Sequence, residues 1–541
     1  MFGDPAKRNG FWEFYDHWDE YAKEFALGPR PEDDPSDWPQ RTPEGKPYFQ
    51  MGPDKRHYKP FRRWTVCVNH PGWRAWCKAF TRWIARAGYD GLWIDNACIQ
   101  RCYCRHCQAL AKQLGLPPLA PSQPGDLVVS RNRGRVWIES HLRLWDELRV
   151  EGEAIRPGFG IYVNYIEIPF NREVTDHTEV AMIEHVWLGI TRLLWPGGIW
   201  AGFYPPMPDR KVLYNHTQPT TEARAFENTW AFQLTCAMRG RRGVHWLYGP
   251  PAGSRDLRFE HNEATALLAL AEAAAFGGGS ATHVATQRAF TDTDANGAAN
   301  AARQRFFREF LPQHLDLYRG LQPAGNVAIV VFFRQAAEML LEAQQVHEAL
   351  RWQGVLCDVV NGDTTDAATL QHYRWLVLPG EPALPDGIKS LSFIRSPAPL
   401  TAAESRAVTN AYQAKKPVRP LRDTGLAARA LELIGKDGPL FAPGTGSRVA
   451  AAAWSAPDKI ALHLLNYRAP IGRGNADKVE AVASLRIALP LTAAGKVTAV
   501  RAWSPERAGP LMLEFQQLPG KVVFTLPSLR VYEVCEVLFQ P

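Results

Sequence analysis

Gly88-Tyr89-Asp90-Gly91-Leu92-Trp93-Ile94-Asp95-Asn96 is the stretch whose reading decides the fold. Gly88 closes the helical pattern before it, since glycine enters the left-handed region at a helix end without strain. A short apolar run follows and ends on a carboxylate, Asp95. A buried strand entered from a helix and left through Asp-Asn is one βα unit of a parallel α/β sheet. When such units close into a barrel, the carboxyl ends of the strands form the active face. Asp95 falls at that end and Asp90 at the other, so Asp95 reads as a catalytic carboxylate and Asp90 as structural. The competing role for Asp95 is to cap the turn that follows.

Outward from this unit the pattern repeats. Strands are predicted at 64–69, 91–95, 160–165, 180–184, 211–215, 243–248 and 274–278, with helices at 73–87, 135–153, 224–239 and 262–275. With one or two strands in or before the first 20 residues, residues 1–320 make a (β/α)8 TIM barrel. The Pro-, Asp- and Arg-rich segment 20–62 is expected to be an irregular loop over the active face. Strands at 326–331, 355–360 and 375–378, with a helix at 335–352, predict a flavodoxin-like (class I amidotransferase-like) α/β domain over 325–440. The Ala/Pro-rich stretch 395–450 is partly linker-like, and alternating runs at 459–465, 483–489 and 522–526 predict a C-terminal β-sandwich over 445–535. Glu536-Val537-Leu538-Phe539-Gln540 resembles a viral 3C-protease recognition sequence, so 536–541 is set apart as an expression-tag remnant.

Composition narrows the function classes. A chain of 541 residues exceeds one compact core, and 46% hydrophobic with 22% charged residues is ordinary for a globular protein. The net charge of +7 is spread without a basic run, which argues against nucleic acid and leaves an acidic polysaccharide open as a partner. The sequence has no apolar stretch long enough to span a membrane. Met1-Phe2-Gly3-Asp4 opens abruptly on polar sequence with no leader in view, and a native leader or first barrel strand could precede it, so the location, cytoplasmic or periplasmic, is left open. The 19 Trp and 16 Tyr fit either a ring-lined sugar-binding surface or a Trp-rich barrel core.

Cleavage of a glycosidic bond requires a second carboxyl, about 5 Å from the first for retention and about 6.5–9.5 Å for inversion. Glu184 ends the apolar run Val180-Ala181-Met182-Ile183 just as Asp95 ends its own, and rings nearby would raise its pKa toward acid duty. Glu167 and Asp176 are the other candidates, and Glu184 has the competing role of binding a substrate hydroxyl. Trp93, Asn96, Asn69, Asn164, His185, Trp187, Asn215, His216, His245 and Trp246 stand at or near predicted strand ends, where they are candidate sugar contacts alongside Glu167.

Five of the nine cysteines lie between Cys77 and Cys107, which is no disulfide framework. Cys102-Tyr103-Cys104-Arg105-His106-Cys107 has a spacing at which three thiolates share one tetrahedral zinc, the fourth ligand coming from Cys98, Cys67 or His106. Cys98 is the first choice. Such a site would be structural, and the alternative is a group of reduced, unligated thiols. No cofactor is expected in catalysis.

Trp93-Ile94-Asp95-Asn96-Ala97 followed by the cysteine run resembles glycoside hydrolase family 42 β-galactosidases and relatives with a β-galactosidase trimerisation domain. That family carries W-Q-x-D-N-E at the end of strand four and a C-Y-C-x-x-C zinc site after it. The resemblance is close over about 20 residues. Elsewhere it rests on domain order. It implies a bacterial glycosidase acting on oligo- or polysaccharide, a homo-oligomer (dimer or trimer) and a structural zinc. Ala97 stands where the family has its acid/base Glu, so that mechanism does not carry over intact. The D-G-x-x-x-D-N form is also similar to amylase-like hydrolases, and in α-galactosidase-like barrels an Asp on strand four is the nucleophile and a carboxyl on strand six the acid/base. With 91–95 as strand four, 180–184 counts as strand six. The expected activity is that of a retaining exo-acting glycoside hydrolase with Asp95 and Glu184 as its pair. The alternatives are a non-catalytic carbohydrate-binding barrel, which Ala97 favours, and a metal-dependent hydrolase using the cysteines.

Overall fold

The computed structural model describes residues 1–51, 62–94, 102–121, 127–164, 177–185, 229–239, 243–248, 262–277, 279–283, 301–302, 304–331, 337–362, 365–379, 392–395, 425–434, 438–442, 444–446, 448–470, 477–491 and 495–540. The chain is α/β and divides into two compact units, one of residues 1–182 and 200–203, the other of 183–199 and 204–541.

The first unit opens with strand β1 (Phe2–Gly3) and helices α1 (Phe11–Asp16) and α2 (Trp18–Phe25), followed by β2 (Phe49–Met51) and β3 (Arg62–Trp64). These strands pair antiparallel in the order β1-β3-β2. A parallel strand was expected at 64–69, but the chain beyond Trp64 turns away from the sheet. Its backbone is taken by the neighbouring loop, with Gln40 N–H donating to Thr65 O (2.8 Å) and Cys67 N–H to Trp38 O (2.8 Å). His70 then caps helix α3 (Pro71–Arg86) by accepting the Gly72 N–H through Nδ1 at 3.2 Å, with Pro71 in the first turn. The 20–62 segment holds part of α2, a 3-10 turn (Pro35–Asp37) and β2, so it is more ordered than an irregular loop.

The deciding strand is β4 (Gly91–Ile94), entered through Gly88 at φ +90°. Helices α4 (Arg105–Gln113) and α5 (Leu127–Glu153) follow, then β5 (Gly160–Asn164) and β6 (Val180–His185). The strands run parallel, Leu92 opposite Ile161, Trp93 opposite Tyr162, and Asn164 opposite Met182. Leu92, Ile161 and Val163 are buried with Ala85 of α3 and Leu142, Trp145 and Leu148 of α5, so one side of the sheet is the core. Gly91 has no room for a side chain: a Cβ there would lie 2.2 Å from the Tyr162 ring and 2.6 Å from Gly160 O. Arg74 and Lys78 pair with Glu147, and Arg82 with Glu151, which joins α3 to α5. Asp90, expected at a buried strand end, is instead exposed and pairs with Arg156 at the surface.

The tryptophans of this unit are chiefly structural. Trp12, Trp18, Trp38 and Trp145 are fully buried. Trp73, Trp76, Phe80 and Trp83 stack along α3 with centroids 4.9, 5.1 and 5.4 Å apart.

The second unit contains α6 (Thr229–Arg239), β7 (Gly243–Tyr248), α7 (Glu263–Ala275) and β8 (Gly279–His283), with β7 and β8 parallel. A strand was expected at 274–278. Instead the helix runs to Ala275 and the strand begins at Gly279, because α7 is apolar on nearly every side and stays buried to its last turn. Its start matches the expectation: Asn262 and Thr265 form a reciprocal capping box.

After β9 (Gln322–Pro323) comes β10 (Val327–Val331), fully buried, then α8 (Ala337–Trp352), β11 (Cys357–Asn361), α9 (Ala367–Leu370), β12 (Trp375–Leu378) and β13 (Ser392–Arg395). These four strands are all parallel, in the order β11-β10-β12-β13, which is the flavodoxin-like winding. Gln233 of α6 binds across to this layer, with Oε1 2.7 Å from His347 Nε2 and Nε2 donating to Cys357 O at 3.1 Å.

Helix α10 (Leu426–Ile434) leads to two antiparallel sheets facing each other. Their strands are β14 (Val449–Ala456), β15 (Lys459–Asn466), β16 (Val482–Pro490), β17 (Val497–Trp503), β18 (Leu511–Met512), β19 (Phe515–Leu518), β20 (Lys521–Leu529) and β21 (Tyr532–Phe539). The larger sheet has the order β18-β17-β21-β15-β14-β9 and the smaller β16-β20-β19. Inward residues of both, such as Leu462, Val500, Val537, Ile487 and Phe524, form one core. Residues 536–539, set apart as a tag remnant, belong to β21 between β15 and β17, with Val537 fully buried. Cys535, Val537 and Phe539 alternate into the sandwich core while Val534 is buried on the opposite face, and that pattern outweighs the likeness to a protease site. Within this unit α7 packs against the sandwich: Tyr467 donates to Glu272 Oε1 at 2.5 Å, and Trp454 Nε1–H to Ala275 O at 2.7 Å.

Candidate functional site

The residues that the sequence singles out fall into two groups. The first lies at the carboxyl ends of the parallel strands. Strand β4 alternates, with Leu92 in the core and Trp93 43% exposed on the other side, in register with Tyr162 of β5. Asp95, Asn96 and Cys98, together with Glu167, Asp176, Trp187, Asn215 and His216, lie outside the described residues. Glu184 and His185 end β6, Asn164 ends β5, and His245 and Trp246 stand within β7. The side chains of these five residues are outside what the structure describes.

The second group is fully described. Cys67, Cys102, Cys104 and Cys107 place four sulfurs within 4.8 Å of one another. Cys67 Sγ lies 3.6 Å from Cys104 Sγ and 3.5 Å from Cys107 Sγ. A zinc ion with Zn–S bonds of about 2.3 Å at the centre of a tetrahedron puts its sulfurs about 3.8 Å apart, so the spacing fits one ion. Among the described residues the fourth sulfur is that of Cys67, one of the alternatives to Cys98, which lies outside the described residues; His106 is not part of the cluster. Its ring instead packs edge-on against His70, centroids 4.9 Å apart. No spacing rule points to Cys67, because the turn before α3 brings it in from a distant part of the chain.

Local structure accounts for the geometry. Cys104 is the residue before α4 and Cys107 lies in its first turn, where the unpaired N–H groups and the helix dipole favour thiolate. Three N–H groups are aimed at sulfur: Arg41 N–H at Cys102 (3.2 Å), Cys104 N–H at Cys102 (3.4 Å) and Asn69 Nδ2–H at Cys107 (3.2 Å). Hydrogen bonds from Cys102, Cys107 and Cys67 hold the Cys104 thiol well below its ordinary range, while the same contacts leave Cys107 raised. Four sulfur donors, three of them buried, would fill a tetrahedral shell around one ion and leave it no position for substrate. The cluster is chemically suited to a structural metal and unsuited to a catalytic one.

This geometry corrects one residue. Asn69 was a candidate sugar contact, but its amide lies on Cys107 Sγ and, at 2.7 Å, on Ser140 Oγ. It buttresses the cysteine cluster. Asn69 stands in the turn that carries Cys67 and not at the end of a barrel strand, which is why strand-end reasoning misplaced it.

No family model matches the chain, and no curated protein is similar to it in sequence. Solved structures are similar in fold. The α-L-fucosidase isoenzyme 2 of Paenibacillus thiaminolyticus superposes over 96% of this chain and 86% of its own, with a TM-score of 0.56 at 14% identity. The β-galactosidase of Bacillus circulans sp. alkalophilus covers 98% and 91%, with a TM-score of 0.54 at 13% identity. Gan42B, a GH42 β-galactosidase, covers 97% and 89%, with a TM-score of 0.56 at 10% identity. Across nearly its whole length, the chain has the fold of family 42 glycoside hydrolases.

Proposed function

We propose that the chain is a retaining, exo-acting glycoside hydrolase, with a galactoside-like sugar as the first substrate to test. The observation that carries this reading is the end-to-end likeness to glycosidase folds, which includes the flavodoxin-like and sandwich layers as well as the βα units. In the proposed barrel of eight strands, Asp95 follows β4 directly and Glu184 stands at the end of β6. Asp95 attacks the anomeric carbon, and Glu184 protonates the leaving oxygen and then takes a proton from the water that releases the sugar. Trp93 offers a stacking ring beside the nucleophile. One zinc ion is held by Cys67, Cys102, Cys104 and Cys107, where it would fix the loop after β4 against the turn before α3. A homodimer or homotrimer is the expected assembly.

The test is turnover of aryl glycosides by Asp95→Ala, with circular dichroism to verify the fold and NMR of the first-formed anomer to read the stereochemistry. Loss of turnover with retention of configuration in the parent supports the pair. Near-parental turnover by Asp95→Ala would remove it. A second reading, a barrel that binds carbohydrate without cleaving it, is favoured by Ala97 at the family's acid/base position. Sugar binding with no hydrolysis across a broad glycoside panel would support it.

A further inference from the structure

Beside the cysteine cluster, and formed entirely within the first unit, lies a pocket of about 410 Å³ lined by Thr42, Pro43, Tyr48, Tyr103, Arg133 and Trp137. Its volume falls in the range of small-ligand sites, about 300–1,000 Å³. One wall is the tight loop in which Thr42 N–H donates to Lys46 O (2.8 Å) and Tyr48 N–H to Gln40 O (2.7 Å). The opposite wall is α5, on which Arg133 and Trp137 stand one turn apart, with the guanidinium carbon 5.2 Å from the centroid of the indole. Tyr103, between Cys102 and Cys104, forms the floor. Arg41 N–H donates to Cys102 Sγ and Tyr103 N–H to Arg41 O (3.0 Å), so the loop wall hangs on the cluster.

The hydrogen-bonding state of this lining is unusual. Arg133 donates through Nη1 to the Tyr103 hydroxyl at 3.0 Å, but its Nε–H is buried with no acceptor. The indole N–H of Trp137 is also buried with no acceptor. Among the described residues no carboxylate pairs with Arg133, whereas Arg149 further along α5, and Arg74 and Arg82 on α3, all have acidic partners. Two orphaned donors, one on a fixed cation, would be costly unless an acceptor-rich group arrives to meet them. The rest of the lining is Thr42, Pro43 and the two rings of Tyr48 and Tyr103, which can face the flat side of a sugar ring.

We infer that this pocket binds a monosaccharide unit bearing an anionic group, with its carboxylate or sulfate received by Arg133 Nε–H and Trp137 Nε1–H and its ring against Tyr48 and Tyr103. This rests on the carbohydrate reading of the fold and adds the charge class of the sugar.

Titration of the full-length protein, followed by tryptophan fluorescence and calorimetry, tests it. Glucuronic and galacturonic acid probe the carboxylate source, galactose 6-sulfate the sulfate source, galactose the neutral ring and inorganic sulfate the anion alone. At least one acidic sugar is expected to bind tenfold or more tightly than both galactose and inorganic sulfate. Arg133→Gln should remove that advantage, and Trp137→Phe, which keeps a ring but no N–H, should reduce it three- to tenfold. Equal binding of acidic and neutral sugars overturns the inference, as does parental affinity in both variants, or inorganic sulfate binding as well as the sugars. Circular dichroism of both variants, and Arg133→Lys as a charge-retaining partner, keep unfolding from mimicking loss of the site. Aryl-glycoside turnover without acidic-sugar binding sinks this inference alone, and binding without turnover sinks only the catalytic reading.

Discussion

Cys67 Sγ and Cys107 Sγ lie 3.5 Å apart although forty residues separate them in the chain. The turn before α3 and the first turn of α4 are thereby brought to a single point, and Asn69 supports that point from the same turn as Cys67. Removing Cys67 should therefore abolish metal retention, whereas removing Cys98 should not. Purified protein is expected to carry one zinc per chain, with the Cys67→Ser variant below about a tenth of that. Since metal binding is coupled to folding at such sites, with apparent energies of about 10–16 kcal/mol in small domains, chelation should lower Tm before it lowers activity. Metal analysis beside a thermal melt decides it, and full zinc content in Cys67→Ser would refute the assignment.

His141, in α5, is buried, and burial alone pushes its pKa from 6.5 down to about 3. The unfolded chain takes up this proton as pH falls through 6.5, while the folded chain resists until about 3. Stability from this group is thus complete above pH 6.5 and lost progressively toward pH 3, by a few kcal/mol, on the order of one per pH unit. His141→Phe should flatten that part of the acid limb in urea-unfolding curves. An unchanged slope between pH 6 and 4 would show that the imidazole is already protonated in the folded state.

If Glu184 is the general acid, its loss should depend on the leaving group. Glu184→Gln is expected to cost about 10²–10⁴-fold in kcat on glycosides with poor leaving groups and far less on activated nitrophenyl glycosides. A uniform loss across the series would instead make Glu184 a substrate-binding residue.

Deleting residues 536–541 should damage the fold. The deletion takes Val537 and Phe539 out of the sandwich core and removes three of the seven pairs with β15 and four of the six with β17. Loss of one large buried apolar side chain costs about 2–5 kcal/mol, and two together with half of two ladders approach the stability of a whole domain. The truncated chain should aggregate or melt in two steps. A parental melting curve would mean that 536–541 contribute nothing to the sheet.

Much of this architecture is legible in the sequence, and where it is not the reasons are physical. β4, β5, β10 and the sandwich strands declare themselves because their burial follows the two-residue period or an unbroken apolar run. α7 declares its start through Asn262 and Thr265, but its all-apolar end at 274–275 looks the same as a buried strand. Cys102, Cys104 and Cys107 are legible from spacing, while Cys67 and Asn69 join them only through tertiary structure. Arg133 and Trp137 show nothing in sequence beyond their four-residue separation, because an unpaired donor is a property of the surroundings. The likeness of residues 536–540 to a protease site misled for a simpler reason, since a short match carries no information about the pattern of burial around it.

The position of β21 has a consequence for how the chain acquires its structure. Its neighbours β15 and β17 are separated from it by about 70 and about 30 residues, and neither pairs with the other. During synthesis β14 and β15 can form their hairpin as soon as they emerge, and β16 can await β20, but β17 has no partner in the larger sheet except the two-residue β18 until the final strand is complete. The high sequence separation of these contacts makes closure of the sheet the slow, late event of folding. Until then the face of α7 that packs against β15 and β21 in the finished fold stays uncovered in the nascent chain, where it needs protection from aggregation.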